Sequence, residues 1–133
     1  MTAIFEDRAL AGKAAKKLRV YAQPQRLMIL SCLLRGERTV GEIEAATGIA
    51  QPALSQQLAE LRRAEMVKTR KVAKQVHYDL ADDDIGLCVR SMEAIFGSGR
   101  AVEDKLKAVM APIRSSAVPA EERAGAAVFG RIG

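Results

Sequence analysis

Apolar side chains recur at intervals of three and four residues in two segments near the start of the chain, and this spacing predicts two amphipathic helices. The first spans residues 7–22, which are rich in the helix-favouring residues alanine, leucine and lysine. One side of this helix carries Leu10, Ala14, Leu18 and Tyr21. Pro24 ends the segment and suits the first turn of a second helix, Pro24–Leu34, which Arg35 and Gly36 terminate.

Two short helical patterns follow, joined by a tight turn. Thr39, with a glutamate three residues later, forms a capping-box pattern and predicts a helix that ends at Gly48. The second pattern begins two residues later, and its apolar face consists of Leu54, Leu58 and Leu61. Ala50 is a weak N-cap, and we expect Pro52 to compensate in part by fixing the first turn. Together the two helices predict a helix-turn-helix over residues 39–64.

Between residues 66 and 80, apolar side chains recur at every second position. This spacing is typical of β-strands and predicts a β-hairpin directly after the second helix. The residues that carry this spacing are Val67 and Thr69 on one strand, then Val76, Tyr78 and Leu80 on the other. Residues 70–74, with the sequence RKVAK, form a basic tip. A hairpin in this position is a wing. The pattern therefore predicts a mainly α-helical fold with a two-stranded β-wing, a winged helix-turn-helix.

The C-terminal part of the chain predicts two further helices and a tail. Three aspartates at residues 82–84 suit the positive N-terminal end of a helix that ends at Gly97. The apolar face of this helix carries Ile85, Val89, Met92 and Phe96. Residues 100–112 form a shorter amphipathic pattern, and residues 115–133 are small and weakly patterned. We expect a winged-helix domain over residues 1–99 and an extension over residues 100–133, with a short helix and a mobile tail.

Composition and charge favour a globular chain with a polyanionic partner. Hydrophobic residues make up 49% of the 133 residues, which is enough for a packed core. The net charge is +5, and the positive excess lies within the first 80 residues. Two Tyr, three Phe and no Trp are too few for a surface that stacks the bases of a single strand.

The chain shows no pattern typical of export or of membrane insertion. No apolar run approaches the roughly 18 residues that cross a bilayer, so we expect no membrane span. The first ten residues lack a basic segment followed by an apolar one, and we expect no secretory signal. We therefore expect a cytoplasmic, nucleoid-associated protein in which Cys32 and Cys88 are reduced thiols.

Candidate catalytic and metal-binding residues are scarce. His77 is the only histidine, and no serine or cysteine has an obvious general base. A zinc site needs several His or Cys ligands at defined spacing, and the aspartates at residues 82–84 are better explained as a helix start. We expect no enzyme activity, no metal site and no cofactor.

The second helix of the motif carries side chains suited to double-stranded DNA. In a helix-turn-helix, the N-terminal residues of this helix face base edges in the major groove, while nearby cations bind phosphates. Polar donors and acceptors suited to base edges are Gln51, Ser55, Gln56 and Gln57. Cations suited to phosphates are Arg62, Arg63, Lys68, Arg70, Lys71 and Lys74. DNA is the expected partner; a merely solvated helix face and a winged-helix adaptor that binds protein remain as alternatives.

Four short motifs carry a resemblance to a known family. These are Val40-Gly41-Glu42-Ile43, Ala53-Leu54-Ser55-Gln56, Leu61-Arg62-Arg63 and Thr69-Arg70-Lys71. Over residues 10–97 the chain resembles the ArsR-type (arsenical-resistance repressor) winged-helix regulators of bacteria, above all the branch of the sulfide- and biofilm-responsive repressors and the nodulation repressor. The resemblance implies a homodimer joined through its first and last helices. It also implies that this dimer represses transcription from an imperfect palindromic operator until an inducer releases it.

The resemblance also implies roles for individual residues. Gln51, Ser55 and Gln56 match base-contacting positions, and Gln57 replaces a frequent histidine. Arg70, Lys71, Lys74 and Gln75 match the wing. The full set of expected DNA-contacting residues is Gln51, Pro52, Ser55, Gln56, Gln57, Arg62, Arg63, Arg70, Lys71, Lys74 and Gln75.

The positions that sense effectors in related regulators are altered in this chain. Metal-sensing members carry a cysteine motif at residues 39–43, or zinc ligands that include histidine on the last helix, and both are missing here. Sulfide-responsive members link two cysteines at positions that correspond to Ser31 and Gly97. Cys32 and Cys88 lie one and nine residues away, so helix rotation points them elsewhere. Two alternatives stay open: inert core cysteines, or a thiol-based persulfide or redox sensor with altered geometry.

Overall fold

The computed structural model describes residues 1–97 and 101–113. In these ranges a short 3-10 turn (Ile4–Glu6) precedes six helices, α1 (Arg8–Tyr21), α2 (Pro24–Leu34), α3 (Val40–Thr47), α4 (Ala53–Arg63), α5 (Asp83–Gly97) and α6 (Val102–Met110). Three strands, β1 (Arg38–Thr39), β2 (Val67–Val72) and β3 (Gln75–Leu80), form an antiparallel sheet in the order β1-β3-β2. This is the expected mainly α-helical winged helix-turn-helix. The expected mobile tail lies outside the described residues.

The helix-capping signals read from the sequence are confirmed. The Thr39 hydroxyl accepts a hydrogen bond from the Glu42 amide at 3.2 Å, and the Glu42 carboxylate accepts one from the Thr39 amide at 2.8 Å. α3 ends at Gly48, whose φ of 74° is left-handed and therefore suits glycine. Asp82 accepts from the Ile85 amide at 3.0 Å and so caps the start of α5.

The start of α4 differs from the prediction. The helix begins at Ala53, so the expectation that Ala50 is the N-cap and that Pro52 lies in the first turn is wrong. Gln51 and Pro52 form a turn, and Pro52 occupies the N-cap without a side-chain hydrogen bond. The Gln51 side-chain oxygen accepts from the Ser55 amide at 3.0 Å instead. An amide side chain thus satisfies one of the N–H groups that a helix start leaves unpaired.

The wing contains one strand more than the sequence predicts. β1 pairs with β3 at Arg38 and Thr39, and a strand of two residues is too short to show an alternating pattern. The hairpin turn consists of Ala73 and Lys74, with Ala73 at a φ of 57°. Residues 70–72, expected at the tip, therefore belong to β2.

The core explains why α4 turns its polar face outward. The core joins α2, α3, α4, α5 and the start of β2, and its fully buried side chains are Ile29, Leu30, Leu33, Ile43, Leu54, Leu61, Met66, Ile85 and Val89. Leu54, Leu58 and Leu61 are each at most 2% exposed, which confirms the predicted apolar face of α4. Because this face is anchored, the opposite face is held toward solvent.

Two apolar side chains that were predicted to face the core are exposed. Leu18 on α1 is 51% exposed and Phe96 on α5 is 84% exposed. Arg35, directly after α2, binds Glu93 on α5, and Phe96 lies beyond this contact, near the end of α5. In a single chain, part of the apolar face of α1 and of α5 therefore remains exposed. None of the helices in residues 1–97 and 101–113 has the length and apolar character needed to span a bilayer.

Candidate nucleic-acid interface

The polar face of α4 and the turn before it are open to solvent. Gln51, Pro52, Ser55 and Gln56 are exposed, whereas Leu54 on the other side of the helix is fully buried. Positions 52, 55 and 56 share one face of a helix because they are separated by three and four residues. The structure thus brings together three of the polar side chains expected to contact bases, near the N-terminal end of α4.

Gln57 is half-buried, unlike the open polar face of α4. Its side-chain oxygen accepts a hydrogen bond from Arg26 Nε at 2.9 Å, and its Nε2 donates to Gln25 at 3.5 Å. Both partners lie on α2, so these bonds hold α4 against the N-terminal part of that helix. In the free protein Gln57 therefore helps to position α4, and its contact with bases stays a prediction.

The C-terminal end of α4 carries two exposed arginines. Arg62 is exposed, and Arg63 binds Glu60 at 2.7 Å with both side chains largely open to solvent. An exposed ion pair of this kind holds its partners only weakly. Both guanidinium groups therefore remain accessible to a polyanion.

The hairpin carries the remaining basic residues. Lys68, Lys71, Lys74 and Gln75 are exposed. Among the residues that the structure describes, no carboxylate lies within ion-pair distance of Lys71 or Lys74. These two ammonium groups, in β2 and in the hairpin turn, are the uncompensated charges of the wing.

Arg70 has an acidic partner that sequence reasoning missed. Its Nε and Nη2 donate to the Glu37 carboxylate at 2.7 and 2.6 Å. His77, which faces Arg70 across the hairpin, has Nδ1 3.8 Å from the same carboxylate. Glu37 lies in the loop before β1, 33 positions from Arg70, and no local motif marks it. The Arg70 charge is therefore already neutralised in the free protein.

The two cysteines are free thiols in different surroundings. Cys32 lines a groove between α2 and α3, where burial raises the pKa of its thiol and outweighs the lowering by Arg38 and Arg35. Cys88 lies beside Tyr21, and burial together with the neighbouring Cys88 thiol raises the pKa of Tyr21 well above its usual value. The raised pKa favours a neutral, packed thiol at Cys32 over a reactive thiolate. Both cysteines are free, and sensing through these thiols stays a prediction.

A charged cluster connects α2 and α5 at the position where the resemblance implies a sensor cysteine. The Ser31 hydroxyl donates to Glu93, and Arg35 donates to both oxygens of the same carboxylate at 2.8 Å. Burial alone raises the pKa of Glu93, but the hydrogen bonds from Arg35 and Ser31 outweigh it and lower that pKa. An ion pair thus lies where sulfide-responsive members have a thiol. Within residues 1–97 and 101–113, no three His, Cys, Asp or Glu side chains are grouped to hold a metal ion.

Comparisons with known proteins identify the family. Residues 23–69 match the family model of bacterial regulatory proteins of the arsR family. The chain is 46% identical to the biofilm growth-associated repressor of Agrobacterium fabrum, over 65% of this chain and 74% of the relative. It is 37% identical to the nodulation protein NolR of Rhizobium meliloti, over 69% and 76% of the two chains.

A solved structure agrees with both the fold and the branch. The crystal structure of the transcriptional repressor BigR from Xylella fastidiosa matches with a TM-score of 0.67 and 37% identity, over 71% of this chain and 97% of that one. These relatives belong to the branch of biofilm and nodulation repressors, which confirms the branch predicted from the sequence. The chain belongs to the ArsR family of bacterial regulatory proteins, and it is a DNA-binding transcriptional regulator and not an enzyme.

Proposed function

We propose that this regulator represses transcription as a homodimer that occupies an imperfect palindromic operator and blocks the promoter. The observation that carries the proposal is the solvent-facing polar side of α4, directly followed by a hairpin with uncompensated lysines. A helix of this kind enters the major groove, and a dimer reads two half-sites about one helical turn apart.

Affinity and specificity come from different side chains in this proposal. Gln51, Ser55 and Gln56 read base edges, because an amide offers a donor and an acceptor together. Arg62, Arg63, Lys71 and Lys74 bind phosphates and supply affinity that is independent of sequence. Pro52 and Gln75 flank these two groups and contact DNA through their exposed surfaces.

The homodimer rests on the distribution of exposed apolar side chains. Phe5 precedes α1, and further large apolar side chains are exposed on α1, α5 and α6, namely Leu18, Leu87, Ile95, Phe96, Val102, Leu106 and Met110. So much exposed apolar surface is unusual for a monomer and is typical of an interaction surface. A second copy of the chain, packed through the same first and last helices, covers this surface on both subunits.

The first prediction concerns specificity. Gln56→Ala is expected to weaken binding to the operator by about 5- to 150-fold for each of the two half-sites, since one bidentate base contact discriminates by about 1–3 kcal/mol. Binding to random DNA of the same length should change little, because the phosphate contacts remain. Fluorescence anisotropy with both DNAs at one salt concentration measures the two effects. Equal losses on operator and random DNA would contradict the base contact.

The second prediction concerns phosphate contacts. Lys71→Gln and Lys74→Gln are each expected to weaken operator and random DNA alike, and to reduce the slope of log affinity against log salt by about 1.8, because each substitution removes one phosphate contact of about 0.9 from each of the two subunits. Arg70→Gln should reduce the slope less, because Glu37 already neutralises this guanidinium. Salt titrations of the three variants, with Arg8→Gln on α1 as the control, provide the comparison. A larger effect of Arg70→Gln than of Lys71→Gln would show that DNA displaces Glu37.

One experiment tests the proposed function as a whole. The unmodified chain is titrated against a DNA duplex from the region upstream of its own gene, and the complex is detected by gel shift. Saturable binding that random duplex competes for only weakly is the expected result. Binding to neither duplex at low salt would contradict the proposed operator and favour the alternative of a winged-helix adaptor for protein partners.

A further inference from the structure

A groove between α2 and α3 holds a buried charge that the DNA interface does not use. Its volume is about 310 Å³, which is near the lower end of the range in which proteins enclose small ligands. α2 contributes Met28, Cys32 and Arg35 to the lining, β1 contributes Arg38, and α3 contributes Ala46. We call this the α2–α3 groove.

Arg38 is the unusual residue of the α2–α3 groove. It is 8% exposed, and it is the only charged residue that is buried among those the structure describes. Within that part of the chain its one hydrogen bond runs from Nη1 to the backbone carbonyl of Glu37, at 3.1 Å, and no carboxylate lies within ion-pair distance. Most of the Arg38 side chain is buried, but its remaining N–H groups still reach the solvent in the groove, so the guanidinium is open to an anion that enters there.

The carboxylates near the groove already have partners, and that of Glu42 accepts from the Thr39 amide at 2.8 Å. The Glu37 side chain binds Arg70, although its backbone carbonyl accepts from Arg38. Glu93 binds Arg35, so the second arginine of the groove is paired. Arg38 therefore contributes one uncompensated positive charge, which matches a monoanion.

The rest of the α2–α3 groove is mainly apolar, and the two hydroxyl groups in its lining already have partners: Ser31 donates to Glu93, and Thr47 donates to the backbone carbonyl of Ile43. Met28 and Ala46 present aliphatic groups from opposite helices. Burial raises the pKa of Cys32, so its thiol is neutral and serves as a further apolar contact. One cation beside such a lining suits a ligand with one charged end and a short apolar body.

We propose that the α2–α3 groove binds a small carboxylate anion with an apolar body. The carboxylate accepts hydrogen bonds from the Arg38 guanidinium, which presents paired donors in the geometry that carboxylates favour. The hydrocarbon part lies against Met28, Cys32 and Ala46. The ligand thereby gives the Arg38 guanidinium, whose one hydrogen bond within the described residues runs to a neutral carbonyl, an anionic partner.

The test is an NMR titration of the full-length chain at neutral pH with hexanoate, and with hexanamide as the uncharged analogue. Saturable shifts at the amides of Cys32, Arg38 and Ala46 are expected with hexanoate. Hexanamide should bind at least about tenfold more weakly, because it lacks the charge-assisted hydrogen bonds. Equal binding of the two compounds would overturn the proposal, as would the absence of saturable binding at tens of millimolar hexanoate.

Two variants test the site from opposite walls. Arg38→Met removes the cation and keeps an apolar side chain in the space of the arginine stem, so the variant should stay folded. Ala46→Leu fills the groove from α3, and Ala45→Leu, on the exposed neighbour outside the groove, is its control. Hexanoate binding should be lost in Arg38→Met and Ala46→Leu and kept in Ala45→Leu.

The same two variants also define the result that would contradict the proposal. Undiminished hexanoate binding in either folded variant would overturn it, and if one variant fails to fold the other still decides. The titration contains no DNA, so its failure leaves the proposed repressor function untouched. Conversely, failure of the gel shift leaves the anion site standing.

Discussion

Leu54→Ala is expected to lower the free energy of unfolding by about 3 kcal/mol, within the roughly 2–5 kcal/mol that such core truncations cost. Leu54 is fully buried in the first part of α4, and the alanine leaves a cavity that its rigid neighbours fill only in part. A domain of this size has a total stability of about 5–15 kcal/mol, so the loss is a large fraction of it. Chemical denaturation followed by circular dichroism measures the change.

The control for this variant lies two residues along the same helix. Gln56→Ala replaces an exposed side chain, and it should change the free energy of unfolding by less than about 0.5 kcal/mol. The two alanine variants are therefore expected to separate stability from recognition: Leu54→Ala unfolds easily, whereas Gln56→Ala stays folded and loses operator affinity. Both are measured at one protein concentration, because dimerisation contributes to stability. A loss below about 1 kcal/mol for Leu54→Ala would contradict the packing described for α4.

The second large effect concerns self-association. A double variant with Leu87→Glu and Ile95→Glu is expected to be a folded monomer that binds the operator on the order of a hundredfold more weakly, since each monomer holds one half-site and the linkage between the two half-site contacts is lost. In the single chain the two side chains are 50% and 55% exposed on α5, so glutamate is tolerated there. In the proposed dimer the carboxylates would be buried without partners, which is strongly unfavourable. Sedimentation equilibrium gives the oligomeric state, and anisotropy gives the affinity.

The matched control keeps the same positions apolar. Leu87→Met with Ile95→Val should remain dimeric and bind the operator with nearly unchanged affinity, because it preserves most of the buried hydrocarbon. If the glutamate variant still sediments as a dimer, α5 is not the dimer surface. If instead the unmodified chain is a monomer at the concentrations that bind operator, the homodimer proposal itself is wrong.

Much of the candidate DNA interface was predictable from local sequence pattern. The Thr39–Glu42 capping box, the glycine at position 48 and the leucines at 54, 58 and 61 together indicate two helices and a tight turn. These signals act over three to seven residues, so they are visible in the chain order. The same leucines decide which face of α4 is buried, and hence that Ser55 and Gln56 face outward.

Contacts between distant segments were beyond the reach of such patterns. Gln57 has the same side chain as Gln56, yet it binds Arg26 and Gln25 across the core because α2 packs beside it. Arg70 resembles Lys71 in the sequence, yet only Arg70 meets Glu37. Each pairing joins residues more than 30 positions apart, and only packing brings them within bonding distance.

The order of the helices, the hairpin and the outward side of α4 follows from the chain alone, because capping, periodicity and charge act between near neighbours. Only the tertiary structure decides which partner each side chain has. Gln57 is the glutamine that binds α2, and Arg70 is the arginine that Glu37 neutralises. Arg38 is the nearly buried arginine that has no anionic partner among the described residues. Electrostatic and hydrogen-bonding partners depend on distance in space, and that distance is set only when α2, α3 and the sheet pack together.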